Sequence, residues 1–384
     1  MGSGPQGGSM KLATFRFSHG SWSGPFPDLD SETTLVLAFA APSYGDRPEL
    51  FAELAAAFPR SALIGCSTSG EIDHTRIRDE SITVAVARFE HTRVRYAHAT
   101  IASAEHSLAA GGAIADQLLG PELKAVLVLS RGHAVNGSEL VRGLNAKLPE
   151  HVIVTGGLAG DGDRFGKTYV VGEGKPLRDA VVAIGLYGER VRVAHGSKGG
   201  WDTFGPERVV TGAKANVLYT LDDRPALALY KEYLGERASG LPGSALLFPL
   251  SLRASQDATE SVVRTVLGVD EATQSMIFAG DIPMGAYAKL MRANFDRLIL
   301  GAQDAGHAAM RDYPLPALCV AISCVGRRLV LGERTEEETE AALESLPKGT
   351  EQIGFYSYGE ISPHTTGRCD LHNQTMTLTV LSEA

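Results

Sequence analysis

Apolar residues along the chain gather in short unbroken runs, and polar stretches with helical spacing separate them. Residues 34–40 (TLVLAFA) form such a run and predict a buried strand. Residues 47–58 place Leu50, Phe51, Leu54, Ala55 and Phe58 on one stripe, a helix whose first turn Pro48 suits. Residues 62–66 return to strand. Residues 82–89 and 94–99 predict antiparallel neighbours about Glu90-His91-Thr92, and 107–119 predict a helix stopped by Gly120-Pro121. The series then restarts: 125–129, 138–148 and 152–155 read strand, helix, strand, and 169–172, 180–187 and 191–200 add further strands. Turn residues at 205–224 mark a soft boundary. Beyond it the pattern predicts helices over 226–234 and 283–304, interrupted by Arg292 and Asn294, and strands at 245–250, 262–269 and 275–279. A strand at 317–325 and a helix at 336–346 follow. The order β-α-β-turn-β thus recurs at least three times and predicts an α/β (mixed α+β) protein, with mixed sheets and flanking helices.

One short pattern occurs twice. Gly65-Cys66-Ser67-Thr68-Ser69-Gly70-Glu71-Ile72 and Gly354-Phe355-Tyr356-Ser357-Tyr358-Gly359-Glu360-Ile361 share the frame Gly-x-x-(Ser/Thr)-x-Gly-Glu-Ile. Each copy follows strand, helix and short strand, and each precedes a β-rich run, at 81–86 and 375–380. Two copies at opposite ends predict two related halves closing on each other, with the shared turn as a common site. In the middle repeat the same place holds Gly156-Gly157-Leu158-Ala159-Gly160-Asp161-Gly162.

With 384 residues the chain exceeds one small core, and two domains are expected: 31–220 and 221–384, after an N-terminal arm at 1–30 whose first nine residues resemble an expression scar. A net charge of -9 argues against nucleic acid and anionic membrane as partners. No apolar run approaches the ~20 residues of a membrane helix, and no signal peptide is visible. The four cysteines lack CxxC spacing, which fits reduced thiols in a cytoplasm.

The chemistry on offer is modest. Cys66, Ser67, Thr68 and Ser69 are four small polar side chains in a row, suited to a ligand-facing loop. Tyr356 and Tyr358 alternate, so both are expected on one sheet face, as pocket walls or as packing. Glu71 and Glu360 either accept turn amides or meet a ligand ammonium. Gly157, Leu158 and Asp161 lie in a loop suited to close backbone approach. Gly166-Lys167-Thr168 lacks P-loop spacing and reads as coincidence. His364, Cys369, Asp370 and His372 match no metal pattern, and no cofactor is expected. Cys66 as a nucleophile, with His74 or His133 as base, has no third group. Arg292 and Asn294 either fix a carboxylate or face water.

Five stretches together resemble the FIST family of bacterial sensory proteins, with a FIST N and a FIST C part. They are LIGCSTSGEI (63–72), GGLAGDG (156–162), VLYTLDDRPALALYKEYLG (217–235), GFYSYGEISP (354–363) and HNQTMTLTVL (372–381). The resemblance implies an intracellular input domain for small ligands, amino acids being the suggested class. It also implies signalling to a histidine kinase, a cyclic-nucleotide enzyme or a chemotaxis component. The chain carries no kinase, GGDEF or methyl-accepting segment, so the expected signal passes in trans. The working expectation is a pocket where both turns and the glycine-rich loop meet. The alternatives are a Cys66 thiol hydrolase or transferase, and a ligand-independent scaffold.

Overall fold

The structure, a computed structural model, describes residues 10–164, 166–258, 261–310, 313–363 and 368–384. Its frame is a β-α-β unit repeated three times. Thr34–Ala40, helix Pro48–Ala57 and Ala62–Ser67 form the first, with the two strands parallel. Leu123–Ser130, helix Gly137–Asn145 and Ile153–Leu158 form the second. Ala317–Cys324, helix Thr335–Glu344 and Thr350–Ser357 form the third. In each, a later strand returns antiparallel to the first: Ile82–Arg88, Ala180–Tyr187 and Met376–Glu383. On each far side a further strand follows, Lys11–Ser18, Arg93–Thr100 and Val191–Lys198, and in the first sheet the short Ser21–Trp22 lies beyond it.

Each unit also lends a strand to the next sheet. After Ser67 the chain crosses over, and Glu71–Asp73 pairs with Thr350–Ser357 of the third unit. Gly359–Pro363 of the third pairs with Ile153–Leu158 of the second. Val170–Gly172 of the second pairs with Ala62–Ser67 of the first. The exchange is cyclic, so the three sheets close around a pseudo-threefold axis.

The strand period of two explains why this closes. Leu35, Leu37 and Phe39, Leu127 and Leu129, and Leu318, Val320 and Ile322 point inward to one shared core. The intervening residues face helices: Val36 and Ala38 meet Phe51 and Leu54, Val126 and Val128 meet Leu140 and Leu144, and Cys319 and Ala321 meet Ala302 and Ala305. The units are thus a mixed α/β arrangement with flanking helices.

Between Val191–Lys198 and helix Phe295–Ala309 sits an inserted region of strands around one helix, Ala226–Leu234, with its own core including Leu218, Leu227, Tyr230, Phe248, Met276, Phe278 and Leu290. The long helix expected over 283–304 is corrected here. Tyr287–Arg292 is a strand between Asp202–Lys214 and Leu250–Arg253, and only Phe295–Ala309 is helical. Ala, Lys, Leu and Met favour helix locally, but pairing on both edges prevails. Arg292 ends that strand, while Asn294 caps the helix by accepting from Arg297 N. The strand expected at 245–250 begins only at Leu250; Gly243–Leu247 is a 3-10 turn.

The expected arm is corrected too. Lys11–Ser18 lies along Ile82–Arg88, and Phe15, Phe17, Trp22 and Phe26 form an aromatic cluster at its end. Residues 1–9 lie outside the described residues. Val191–Lys198 pairs with Met376–Glu383, so the third unit draws on both sides of the boundary expected near residue 220.

Candidate functional site

The two Gly-x-x-(Ser/Thr)-x-Gly-Glu-Ile turns and the glycine-rich loop are the same element in three units, and one steric demand fixes them. A Cβ on Gly65 would lie 1.9 Å from Ala38 O, on Gly156 1.8 Å from Val128 O, and on Gly354 1.7 Å from Ala321 O. No side chain fits at any of the three. Four residues on, the loops bind one another in a ring. Ser69 N donates to Tyr356 O (2.8 Å), Gly160 N to Ser67 O (2.9 Å) and Tyr358 N to Leu158 O (3.1 Å). The expected convergence of loops near residues 70, 160 and 360 is therefore present at one end of the axis.

The two glutamates hold their turns in the same way. Glu71 accepts from Thr68 Oγ1 (2.5 Å), Ser81 N (3.1 Å) and Ser81 Oγ (2.6 Å). Glu360 accepts from Ser357 Oγ (2.7 Å), Thr375 N (3.1 Å) and Thr375 Oγ1 (2.9 Å). Burial raises both carboxyls against these hydrogen bonds, Glu71 to about 7 and Glu360 to about 8. Their oxygens are occupied within the fold, and Glu360 borders none of the larger cavities. The expectation that it receives a ligand ammonium is set aside on that geometry.

Other expected site residues also lie inside. Cys66, Gly157 and Phe355 occupy equivalent axial places; a Cβ on Gly157 would stand 3.3 Å from Phe355 Cζ, so the small residue makes room for the ring. Burial pushes the Cys66 thiol well up, opposite to a nucleophile's need. His74 lies between Asp73 (3.0 Å) and Glu351 (2.6 Å), and the Asp73 hydrogen bond leads in raising it to about 9. Ser67 is buried: its Oγ accepts from Tyr169 N (3.1 Å) and its N donates to Tyr169 O (2.9 Å).

The expectation that Tyr356 and Tyr358 share a face is corrected. The chain leaves one sheet at Ser357 and enters another at Gly359, so the two rings join different cores. Tyr356 is fully buried and donates to Glu338 Oε1 (2.7 Å); Glu338 in turn pairs with buried Arg327 (2.7 Å). Tyr358 donates to Asp161 Oδ1 and to Gly162 O (2.9 Å).

Two cavities open where these loops meet the ends of the parallel strands, the usual position for a ligand in an α/β sheet. The first, about 530 Å³, has Thr68, Ser69, Gly70 and Glu71 on one wall and Asp161, Gly162, Arg164 and Lys167 on another. Asp46, Asp79, Glu80 and Arg328 complete it. Arg328, from the third unit, donates to Ser69 O (2.5 Å) and grips Asp79 with two bonds (2.9 and 2.7 Å). Burial alone would raise Asp161, but the Tyr358 hydroxyl and the Lys167 and Gly166 amides (2.7 and 2.8 Å) hold it below the usual carboxylate range. The second cavity, about 520 Å³, has Leu158, Tyr358, His133 and residues of the inserted region on its walls.

So the structure gathers Thr68, Ser69, Glu71 and Asp161 at one cavity and Leu158 and Tyr358 at the other. Cys66, Ser67, Gly157, Tyr356 and Glu360 support these walls from behind. The sequence reading missed Arg328, Asp79, Glu80 and Arg164, and considered His133 only as a base for Cys66. Arg328 and His133 follow the first parallel strand of their units, as Pro42 and Ser43 do, so aligning the three repeats was the signal that could have found them.

Among the described residues no group of three or more His, Cys, Asp or Glu side chains is placed to hold a metal ion. His364 lies outside them, Cys369 donates to Asn145 Oδ1 (3.1 Å), and His372 Nε2 meets Ser362 O (3.0 Å). Also among the described residues, no helix is long and apolar enough to cross a membrane.

Comparison with known proteins finds no match among curated sequences. Two family models do match, FIST N domain over residues 34–224 and FIST C domain over 226–363. With nearly the whole chain covered, and every element of the three-unit frame except Lys11–Ser18 and Met376–Glu383 within those spans, the chain belongs to the FIST family, whose domains have sensory roles in signal transduction.

Proposed function

We propose that the protein senses a small zwitterionic metabolite, an amino acid or a close analogue, in the 530 Å³ cavity. The supporting observation is that all three units build its wall: the 68–71 turn, the 161–167 loop and Arg328. A ligand there has opposite charges to meet. Exposed Arg164 and Lys167 suit a carboxylate, and exposed Glu80 suits an ammonium. Asp79 is already engaged by Arg328 and Asp46 by Arg178, so they shape the field more than they bind. Thr68 and Ser69 supply the polar edge. Cys66, Ser67, Gly157, Tyr356 and Glu360 keep the turns in place.

Occupancy transmits information only by favouring one arrangement of the units over another. Arg328 to Ser69 and Ser69 to Tyr356 join the third unit to the first across the cavity wall, and these are the contacts on which we expect occupancy to act. The readout we assign, following the family's sensory role, is a histidine kinase or chemotaxis component engaged in trans in the cytoplasm.

Thermal unfolding with a panel of amino acids tests this. A ligand at a hundredfold excess over its Kd stabilises the native state by about 2.7 kcal/mol. The expected result is a raised Tm for one chemical subset, lost in Arg164→Ala/Lys167→Ala. No shift with any amino acid overturns the ligand class.

A further inference from the structure

The second cavity differs from the first in both origin and chemistry. It lies between the second unit and the inserted region, an interface of two separately cored parts, where ligand sites are common. Leu108, on helix Ser107–Leu118, and Leu267, on strand Val266–Asp270 of the insert, both face this space and stay 44% and 41% exposed. Exposed leucine is common singly; two on the walls of one hollow, with Phe278 and Tyr358 beside them, make an apolar lining.

The charged groups on that lining are Glu105 and Glu139, with no lysine or arginine. Glu139 is engaged by Arg142, while Glu105 is exposed. Burial lowers the pKa of His133 and so disfavours its charged form, against the opposing pull of Asp161; its Nε2 stands 3.7 Å from Asp161 Oδ1, outside hydrogen-bond reach. The wall is also fixed in place. A Cβ on Gly132 would meet Ala159 O at 1.9 Å and Tyr358 Cδ2 at 2.8 Å, so the 132–136 loop lies hard against the Tyr358 ring.

We propose that this cavity of about 520 Å³ is a second binding site, specific for a small amine carrying an apolar or aromatic body. The body covers Leu108 and Leu267, and the ammonium lies towards Glu105, with the Tyr358 ring able to attract a cation. Anions of the same shape are rejected, since Arg142 offsets only Glu139 and, among the described residues of the lining, no lysine or arginine offsets Glu105. The first cavity, with three cations, has the opposite preference.

Calorimetric titration of the full chain at pH 7 with phenethylamine and tryptamine, against phenylacetate and indole-3-acetate, decides it. Saturable binding of the amines and none of the acids is expected. Glu105→Lys, at an exposed position, is expected to weaken amine binding at least about tenfold, and Glu105→Gln to weaken it less. Leu267→Ser is expected to weaken it with the Tm unchanged. Lys167→Ala, in the other cavity, is expected to leave amine affinity alone. Equal binding of the acids, absence of amine binding, or loss through Lys167→Ala overturns the proposal. Amino acids that bind through Arg164 and Lys167 keep their affinity in Glu105→Lys, so the two cavities fail or stand separately.

Discussion

The first and last turns share five positions of sequence and almost all of their internal hydrogen bonds, yet they face different surroundings. Around Glu71 and Glu360 the lattices match: a hydroxyl three residues back, and an amide and hydroxyl from the start of the next strand. What differs is the residue before the second glycine. Ser69 borders the charged cavity, whereas Tyr358 borders the apolar one. The shared residues therefore build the loop, and the variable residues choose the ligand environment.

The strongest way to break that comparison is to add one methyl group. Gly354→Ala puts a Cβ into Ala321 O, and Gly65→Ala into Ala38 O, on backbone held in register from both sides. Each is expected to cost on the order of 4 kcal/mol or more, seen as loss of soluble folded protein or a collapse of the Tm. The control Gly24→Ala, where an added Cβ meets nothing within 4 Å, is expected to be neutral. A normal Tm for Gly354→Ala would show that the two turns are not built on the same constraint.

Next in size is a pH effect, and it sharpens the equivalence. Both folded carboxyls are raised from the ordinary 4.5, Glu71 to about 7 and Glu360 to about 8. Their contribution is full below 4.5 and is lost as pH rises, because the unfolded chain releases the protons first. The loss is about 1.4 kcal/mol per pH unit for each group until its folded value is passed. Raised His74 acts in the same direction between 6.5 and about 9, while Asp73, lowered to about 2, acts only in acid. Denaturant unfolding from pH 4 to 9 is expected to show this decline. Glu71→Gln should flatten it up to about 7 and Glu360→Gln up to about 8. The serine and threonine hydroxyls can reverse from donor to acceptor to meet an amide.

How much of this the sequence discloses follows from range. The repeated Gly-x-x-(Ser/Thr)-x-Gly-Glu-Ile frame is visible because the steric demand at Gly65 and Gly354 and the hydrogen bonds to Glu71 and Glu360 span a few residues each. The β-α-β series is visible because buried parallel strands leave runs such as 34–40 and 317–324. The cyclic strand exchange is not visible: nothing local in Glu71–Asp73 says that its partner is Thr350–Ser357. The same kind of crossing separates Tyr356 from Tyr358 although only Ser357 lies between them. Tyr287–Arg292 reads as helix for the same reason, since its strand partners lie about 40 and 80 residues upstream. Cavity walls were partly legible: Thr68, Ser69 and Asp161 from their small polar character, but not Arg328, which reaches Ser69 from 259 positions away.

Removing single hydroxyls gives smaller effects. Tyr358→Phe loses the bonds to Asp161 and Gly162 O, one of them to a carboxylate, and is expected to cost about 2 kcal/mol. The Asp161 carboxyl then moves up, having lost one of the donors that offset its burial, and carbon-detected NMR titration reads that movement. An unmoved Asp161 would mean that the hydroxyl does not hold it. Ser69→Ala loses only the acceptor for Gly162 N (2.9 Å) and is expected to cost about 1 kcal/mol.

The smallest expected effect tests whether the first and last turns act through a shared element. Gly162 is held from both: its N–H by Ser69 Oγ and its carbonyl by the Tyr358 hydroxyl. Gly162 lines the charged cavity and is held by Tyr358, which lines the apolar one, so a shift at Gly162 reaches both walls. If the two grips restrain one rigid loop, releasing either already frees part of what the other held. The double variant Ser69→Ala/Tyr358→Phe should then cost less than the sum of the single variants, with an interaction energy of about 0.5 kcal/mol or more. Strict additivity in urea unfolding at fixed pH would mean that the two peptide groups flanking the Gly162 Cα relax independently. In that case each cavity answers only to its own turn, and the likeness between the turns is architectural alone.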